Sequence, residues 1–533
     1  MTAVPDLKAQ RYDRQLRLWA ASGQAALENA HVCLLNATTN GTEILKNLIL
    51  PGIGAFTIVD EGVVDEKDIQ RNFFLDSSCI GSPKAKFTMQ FLQELNADVK
   101  ANYQEKSAEY FIDQNPAFFD QFTMIIATSL HENYALKLAS ICQSRNTPLF
   151  LTKCVGFAGM FRIQAGEHTI IETHPENASD LRLDVPFPAI LEYVKSFDFE
   201  NMDSSEHGHV PFIVILQHFL QVWKTLHNGK LPETYGERNE FKELLKSEMR
   251  SFDEENFEEA IANVWRLAST SKVPTKIQEI FEDPKCENIT NESSNFWIIA
   301  RAIKDFVYHE GAGLLPIPGK LPDMKADTKS YVQLQQIYRQ KALQDLKDVK
   351  ARVQGLLTKV GLLPDAIDAR EIEEFCKHAG YVKVIRYRSL EDELINQVNK
   401  SEILQWLEES HPPNNIVHYI VFRAADRLAN NQNQLDGQED EAAAVKALEE
   451  ATRQILLSLD IPQDKAISIL ESHLRRYVVN FVRYNGSELP NIASLMGGLV
   501  AQEVIKVITR QYIPINNICI YDGMTSTTST YDI

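Results

Sequence analysis

The stretch HVCLLNATTNGTEILKNLILPGIGAFTIVD, residues 31 to 60, runs from a short apolar segment through a polar turn and a helical pattern into a second apolar segment. The same alternation extends over residues 11–165: a helical pattern carrying RQLRLW, then VCLLN, TEILKNLIL, AFTIVD, KAKFTMQFLQEL, TMIIAT and PLFLTK. Short apolar runs separated by helical patterns imply βαβ units around a mainly parallel sheet. At 533 residues the chain exceeds one ordinary domain. From 166 to 485 the helical period dominates and strand candidates are few. From 486 the texture changes back: ASLMGGLVAQEVIKVITRQ reads as an apolar helix and ICIYDGM as a strand that would complete the first sheet. The expected organisation is an α/β domain built from residues 1–165 and 486–533, interrupted by a large, mostly helical insertion at 166–485.

Within the insertion, residues 211–232, 296–316 and 418–437 each place a bulky apolar helix before a polar stop containing glycine. Glycine after the last helical turn supplies a left-handed cap. Their spacing is unequal, so they do not form a solenoid repeat. NNQNQLDGQEDE (430–441) reads as a mobile loop, and DEENFEE (253–259) as a solvated face.

The turn between the first two apolar runs is the informative one. A dinucleotide fingerprint, G-x-G-x-x-G, uses its first glycine for a tight turn, its second for close approach of pyrophosphate, and its third for helix–strand packing. Here Asn36 and Thr38 replace the first two, and Gly41 keeps the third. Asn enters left-handed conformations, so position 36 can still turn. The branched Cβ of Thr38 intrudes where phosphate oxygens need bare backbone. Asp60, at the end of the second run, stands where an acid binds a ribose hydroxyl. A magnesium-using adenylation site wants an acid just beyond TMIIAT, but Thr128 and Ser129 stand there. Both defects imply that the chain binds no nucleotide productively by itself.

Composition sets the outer limits. A formal net charge of −19 argues against nucleic acid, which needs clustered Lys and Arg. The seven cysteines form no C-x-x-C pair, so no structural zinc site or disulfide framework is signalled. The N-terminus lacks the apolar core of a signal peptide, and ILKNLILPGIGAFTIV is interrupted by Lys46, Pro51 and glycines, so no membrane span is expected. The expectation is a soluble protein of the cytoplasm and nucleus.

YDRQLRLW (12–19), GTEILKNLILPGIGAFTIVD (41–60), DIQRNFFL (68–75) with GSPKAK (81–86), and GGLVAQEVIKVIT (497–509) occur in this order. Together they resemble the ubiquitin-activating enzymes, and within them the inactive adenylation half. The resemblance implies a Rossmann-like, ThiF/MoeB-like adenylation fold that is pseudo-active. It implies a heterodimer in which a catalytic subunit holds ATP and magnesium, adenylates a ubiquitin-like modifier, loads it on a cysteine and passes it to a conjugating enzyme. The long insertion is similar to the neddylation branch of the family. The sumoylation branch, with a much shorter insertion, is the alternative.

The resemblance also assigns residues. It implies that Arg14 reaches across the dimer to the ATP phosphates, with Arg17 as the alternative. Arginine fingers elsewhere are worth roughly 10³–10⁵ in rate, an upper bound here. Arg71 and Lys84 correspond to nucleotide-contacting positions of active halves and are expected to make structural or subunit contacts instead. Asn72, Phe73 and Phe74 offer a partner anchor, although the two Phe residues equally suit the core. The family's cysteine sits in P-x-C-T, whereas DPKCEN sets Glu287 after Cys286. Cys286 is therefore expected to be an ordinary thiol, with the nucleophile on the partner. The resemblance further implies that residues 314–341 pack on the catalytic subunit, with Tyr331, Leu334, Ile337 and Tyr338 as a contacting stripe. Helical spacing alone does not separate that stripe from a core face. Two other classes remain: an interaction scaffold with a vestigial nucleotide fold, and an NAD-dependent oxidoreductase, which the lost glycines disfavour.

Overall fold

The apolar runs VCLLN, AFTIVD, TMIIAT and PLFLTK become strands β1 (His31–Leu35), β2 (Ala55–Val59), β4 (Met124–Thr128) and β5 (Leu149–Val155), while β3 (Lys100–Gln104), a polar edge strand, and β6 (Ala158–Gln164) were not among them. Two more, β7 (Ile518–Asp522) and β8 (Thr527–Tyr531), come from the C-terminal region. The computed structural model describes residues 10–175, 180–268, 271–409, 414–430, 440–484 and 486–533. The eight strands form one sheet in the order β8-β7-β6-β5-β4-β1-β2-β3. It is parallel from β3 to β5 and antiparallel from β5 through β8. Every residue of β4 is buried, as a strand covered on both faces requires. The C-terminal strand joins the first sheet as expected, with Met160 of β6 opposite Ile520 of β7.

Four helices of this unit matter for the site: α1 (Asp13–Glu28), α2 (Thr39–Ile49), α3 (Ile416–Asn430) and α4 (Pro490–Thr509). Among the described residues, α4 is long and apolar enough to cross a membrane, but half of its apolar window is buried in this fold. Its Gly497 lets it approach α2, since a Cβ there would lie 2.6 Å from Glu43 Cβ and 3.0 Å from the Glu43 carbonyl carbon. The apolar character of α4 is thus that of a core helix.

The insertion is shorter than expected. One unit runs to His168 and resumes at Val384, and the other covers Thr169–Lys383. The described residues between 384 and 484, read from sequence as part of the insertion, belong to the same unit as the sheet. Ile416, Ile420, Leu448 and Ile455 share a core with Ile518, Ile520 and Tyr531. Ion pairs reinforce it: Lys153 with Asp426, Arg162 with Glu393, and Arg423 with Glu132 at 3.3 Å. A helical period shows which face of a helix is buried, not which partner buries it.

The second unit is mostly helical, with the helices Phe212–Leu226, Tyr235–Ser247, Glu255–Ala262, Asn295–Tyr308 and Thr328–Lys359. Phe212, Leu216, Trp223, Phe241 and Phe257 form its core with Leu334 and Tyr338. Two of the glycine stops adopt the expected left-handed backbone, Gly229 at φ +81° and Gly313 at φ +88°. The third, Gly437, and most of the 430–441 loop lie outside the described residues. The 253–259 segment is not wholly a solvated face. Glu254 is buried against His207 at 2.7 Å, and Phe257 is in the core.

Candidate functional site

The turn from β1 into α2 closes on its own chain. Asn36 adopts φ +66°, the left-handed conformation its residue type permits. Its side-chain Nδ2 donates to Thr128 O at 2.8 Å, and Thr128 Oγ1 donates back to Asn36 O at 2.7 Å. Thr128 therefore ties the loop to β4 from the position where a metal-binding acid was wanted. The Ala37 amide donates to Asp60 Oδ2 at 2.7 Å, and the Gly62 amide to Asp60 Oδ1 at 2.7 Å. Both oxygens of the acid expected at a ribose are thus committed to backbone.

Thr38 sits in extended backbone as the N-cap of α2, and its hydroxyl accepts the Gly41 amide at 3.2 Å. Capping is the ordinary role of threonine at that position. The Asn40 amide donates to Glu488 Oε2 at 2.8 Å, while Asn40 Oδ1 accepts from Thr152 Oγ1 and its Nδ2 donates to Ala493 O. Gly41 keeps the packing role, because a Cβ there would stand 3.0 Å from Leu34 Cδ1 and 3.1 Å from Asn36 O. The Ala37, Asn40 and Gly41 amides, which a phosphate loop turns toward its ligand, all donate to oxygens of this chain. The residues present do not fit a nucleotide. Among the described residues, no group of three His, Cys, Asp or Glu side chains is arranged to hold a metal.

Glu488 and Asn40, which close the loop, are positions that the sequence reading missed. They are 448 residues apart, and no periodicity links them. Burial pushes the Glu488 carboxyl up to about 7, against the opposing pull of the Asn40 amide and the Thr38 hydroxyl.

The second element of the site is the start of α1. Tyr12 is buried, its hydroxyl accepting from Asn96 Nδ2 at 3.0 Å, and this anchors the helix. Arg11 pairs with Asp98 at 3.3 Å, and Arg17 with Asp13 at 2.9 Å. Arg14 is exposed and forms no ion pair or hydrogen bond among the described residues. Downstream, α1 is kinked at Trp19 and Ala20, where Trp19 O accepts from Gln511 Nε2 at 3.0 Å.

A family model described as the ThiF family matches residues 12–533. The chain is 42% identical over 547 residues to the NEDD8-activating enzyme E1 regulatory subunit of Xenopus laevis, with 100% of each chain covered. It is 40% identical over 528 residues to the Drosophila melanogaster regulatory subunit, covering 98% of this chain and 97% of that one. The chain belongs to the family of NEDD8-activating enzyme E1 regulatory subunits. The sumoylation alternative finds no support among these relatives.

Against this family background, the remaining expected residues separate clearly. Asn72 is buried, its Oδ1 accepting the Phe74 amide at 3.0 Å and the Thr42 hydroxyl at 3.3 Å. Phe74 is buried as well, so of this trio only Phe73, at 88% exposure, is presented. Lys84 pairs with Asp68 at 2.9 Å, a structural contact, and Arg71 is half-buried. The proposed stripe at 331–338 requires correction. Leu334 and Tyr338 are fully buried in their own unit, and Ile337 packs against that core. Tyr338 Oη donates to Leu181 O at 2.6 Å. Their helical spacing marks a core face, leaving half-buried Tyr331 and exposed Val332 at the margin. Cys286 is buried, and that burial pushes its thiol up to about 12, well away from a thiolate nucleophile.

Proposed function

We propose that this chain is the non-catalytic, regulatory subunit of a heterodimer that activates a Nedd8-type ubiquitin-like modifier. The catalytic subunit holds ATP and magnesium and carries the thioester cysteine. This chain contributes Arg14 in trans and structural support, and it meets the modifier and the conjugating enzyme through the complex. Its setting is the cytoplasm and nucleus. The observation that carries the reading is a contrast within one unit: the phosphate-loop amides are satisfied internally, whereas Arg14 alone of the three arginines in RYDRQLR is left without a partner among the described residues.

A guanidinium supplied in trans stabilises negative charge as it develops on the phosphates during adenylyl transfer. Burial of Tyr12 and the engagement of Arg11 by Asp98 fix the backbone from which Arg14 projects. A pure scaffold has no use for such an arginine, which favours the enzyme-subunit reading. The test is pyrophosphate exchange by the assembled heterodimer. Arg14→Ala leaves assembly intact and slows exchange by at least about tenfold, within the roughly 10⁵ ceiling set by other arginine fingers. Arg17→Ala, which removes only a surface pair with Asp13, leaves it near the parent rate. Unchanged exchange with Arg14→Ala removes that role.

A further inference from the structure

The start of α2 has the attributes of an oxyanion site, and a carboxylate already sits in it. First-turn amides carry the positive end of the helix dipole and suit phosphate or carboxylate. The Glu488 side chain, more than nine-tenths buried, accepts the Asn40 amide at 2.8 Å. Its second oxygen, Oε1, is buried with no hydrogen-bond partner among the described residues. A carboxylate so deeply buried is costly to keep unless an amide or charge compensates it. This one also lies next to the Leu489 N-cap of α4, where the chain folds back toward the loop.

We propose that Glu488 is a built-in ligand: its carboxylate holds the phosphate position at the N-terminus of α2 and keeps free oxyanions out. Removing it uncovers a site for a small tetrahedral oxyanion such as inorganic phosphate. The cradle does not depend on Glu488 for its shape. The Asn40 side chain is held by Thr152 and Ala493, Thr38 caps the helix, and the Asn36–Thr128 pair fixes the turn. The Asn40 amide therefore stays aimed at the vacated space. In the intact chain the Glu488 side chain fills the space a phosphate would take, and where it is ionised its charge also repels any phosphate that approaches. The inference concerns this chain's own loop and stands whether or not Arg14 acts in trans.

The experiment compares the full chain with its Glu488→Ala and Glu488→Gln variants by thermal unfolding in inorganic phosphate and in chloride of matched ionic strength. The expected result is a saturable rise in the Glu488→Ala midpoint with phosphate, about 1–2 °C at tenfold saturation. The parent and Glu488→Gln, whose side-chain oxygen still fills the position, show no such rise. Hydrogen exchange locates the effect: phosphate protects the peptide spanning residues 37–42 in the Ala variant. An equal response of all three proteins, or protection elsewhere, overturns the proposal. If Glu488→Ala is recovered folded only when purified in phosphate, the proposal stands. If Glu488→Ala is recovered folded neither in chloride nor in phosphate, it falls.

Discussion

The buried Glu488 carboxyl makes the stability of the first unit depend on pH in an unusual direction. Its folded value is about 7, whereas the ordinary value is 4.5. Between these pH values the unfolded chain has released the proton and the folded chain still holds it. The folded state therefore binds more protons, and stability falls as pH rises through the window. Below about pH 4.5 both states are protonated and the contribution is constant, and above about pH 8 both are ionised. A gap of about 2.5 pH units at about 1.4 kcal/mol each amounts to about 3 kcal/mol lost across the window. Buried Cys154, which lies near Glu488, has its thiol pushed far above the usual range and stays neutral throughout. Glu488→Gln carries no titrating proton at this site, so the difference in urea-unfolding free energy between parent and variant cancels the titrations they share. That difference moves in favour of the Glu488→Gln protein by about 1 kcal/mol or more between pH 5.5 and 7. A flat difference, or one that moves toward the parent as pH rises, refutes the assignment of a strongly buried carboxyl at this position.

The remaining predictions concern the two places where the expected partner surface was divided by burial. Tyr338→Phe removes the hydrogen bond to Leu181 O and lowers the stability of the second unit by about 1 kcal/mol, read by urea unfolding. Its affinity for a catalytic subunit stays at the parent value, and a tenfold loss of affinity would return the 331–338 stripe to the interface. Phe73→Ser changes folding stability by less than about 0.5 kcal/mol, because the ring is solvated in the chain alone. It weakens assembly with the catalytic subunit by about tenfold in a titration, and parent-like affinity removes Phe73 from the contact.

Local patterns in the sequence were reliable where one segment decides its own conformation. The alternation over residues 11–165 located β1, β2, β4 and β5 but not the polar edge strand β3 or β6, Asn36 turns as its side chain allows, and Gly41 keeps the close packing against Leu34. Thr38 and Thr128 stand out in the sequence, but the way the loop closes does not. Closure depends on Asp60 and Glu488 reaching amides in other segments. The same limit explains the misplaced boundary at 485. The α3 pattern shows an apolar face, but only the fold shows that Ile518 and Ile520 cover it. It explains the 331–338 stripe too, since a spacing of three and four residues describes a core face and an interface equally well.

The glycines that remain and those that are gone separate two functions that a nucleotide fold usually joins. Gly41 and Gly497 stand where a Cβ would strike Leu34, Asn36 or Glu43, so packing alone requires them. Asn36 and Thr38 stand where the fingerprint has its turn glycine and its pyrophosphate glycine, and here each side chain makes a bond that a glycine lacks. Asn36 joins β1 to β4, and Thr38 caps α2. Asp60 and Glu488 then supply the oxygens that a ribose and a phosphate would otherwise bring. Substituting one position cannot reverse this, because the loop is held by contacts from β4, from the end of β2 and from the segment before α4. A loop closed in this way keeps the sheet and helix frame on which α1 is anchored, with its amides engaged by oxygens of its own chain.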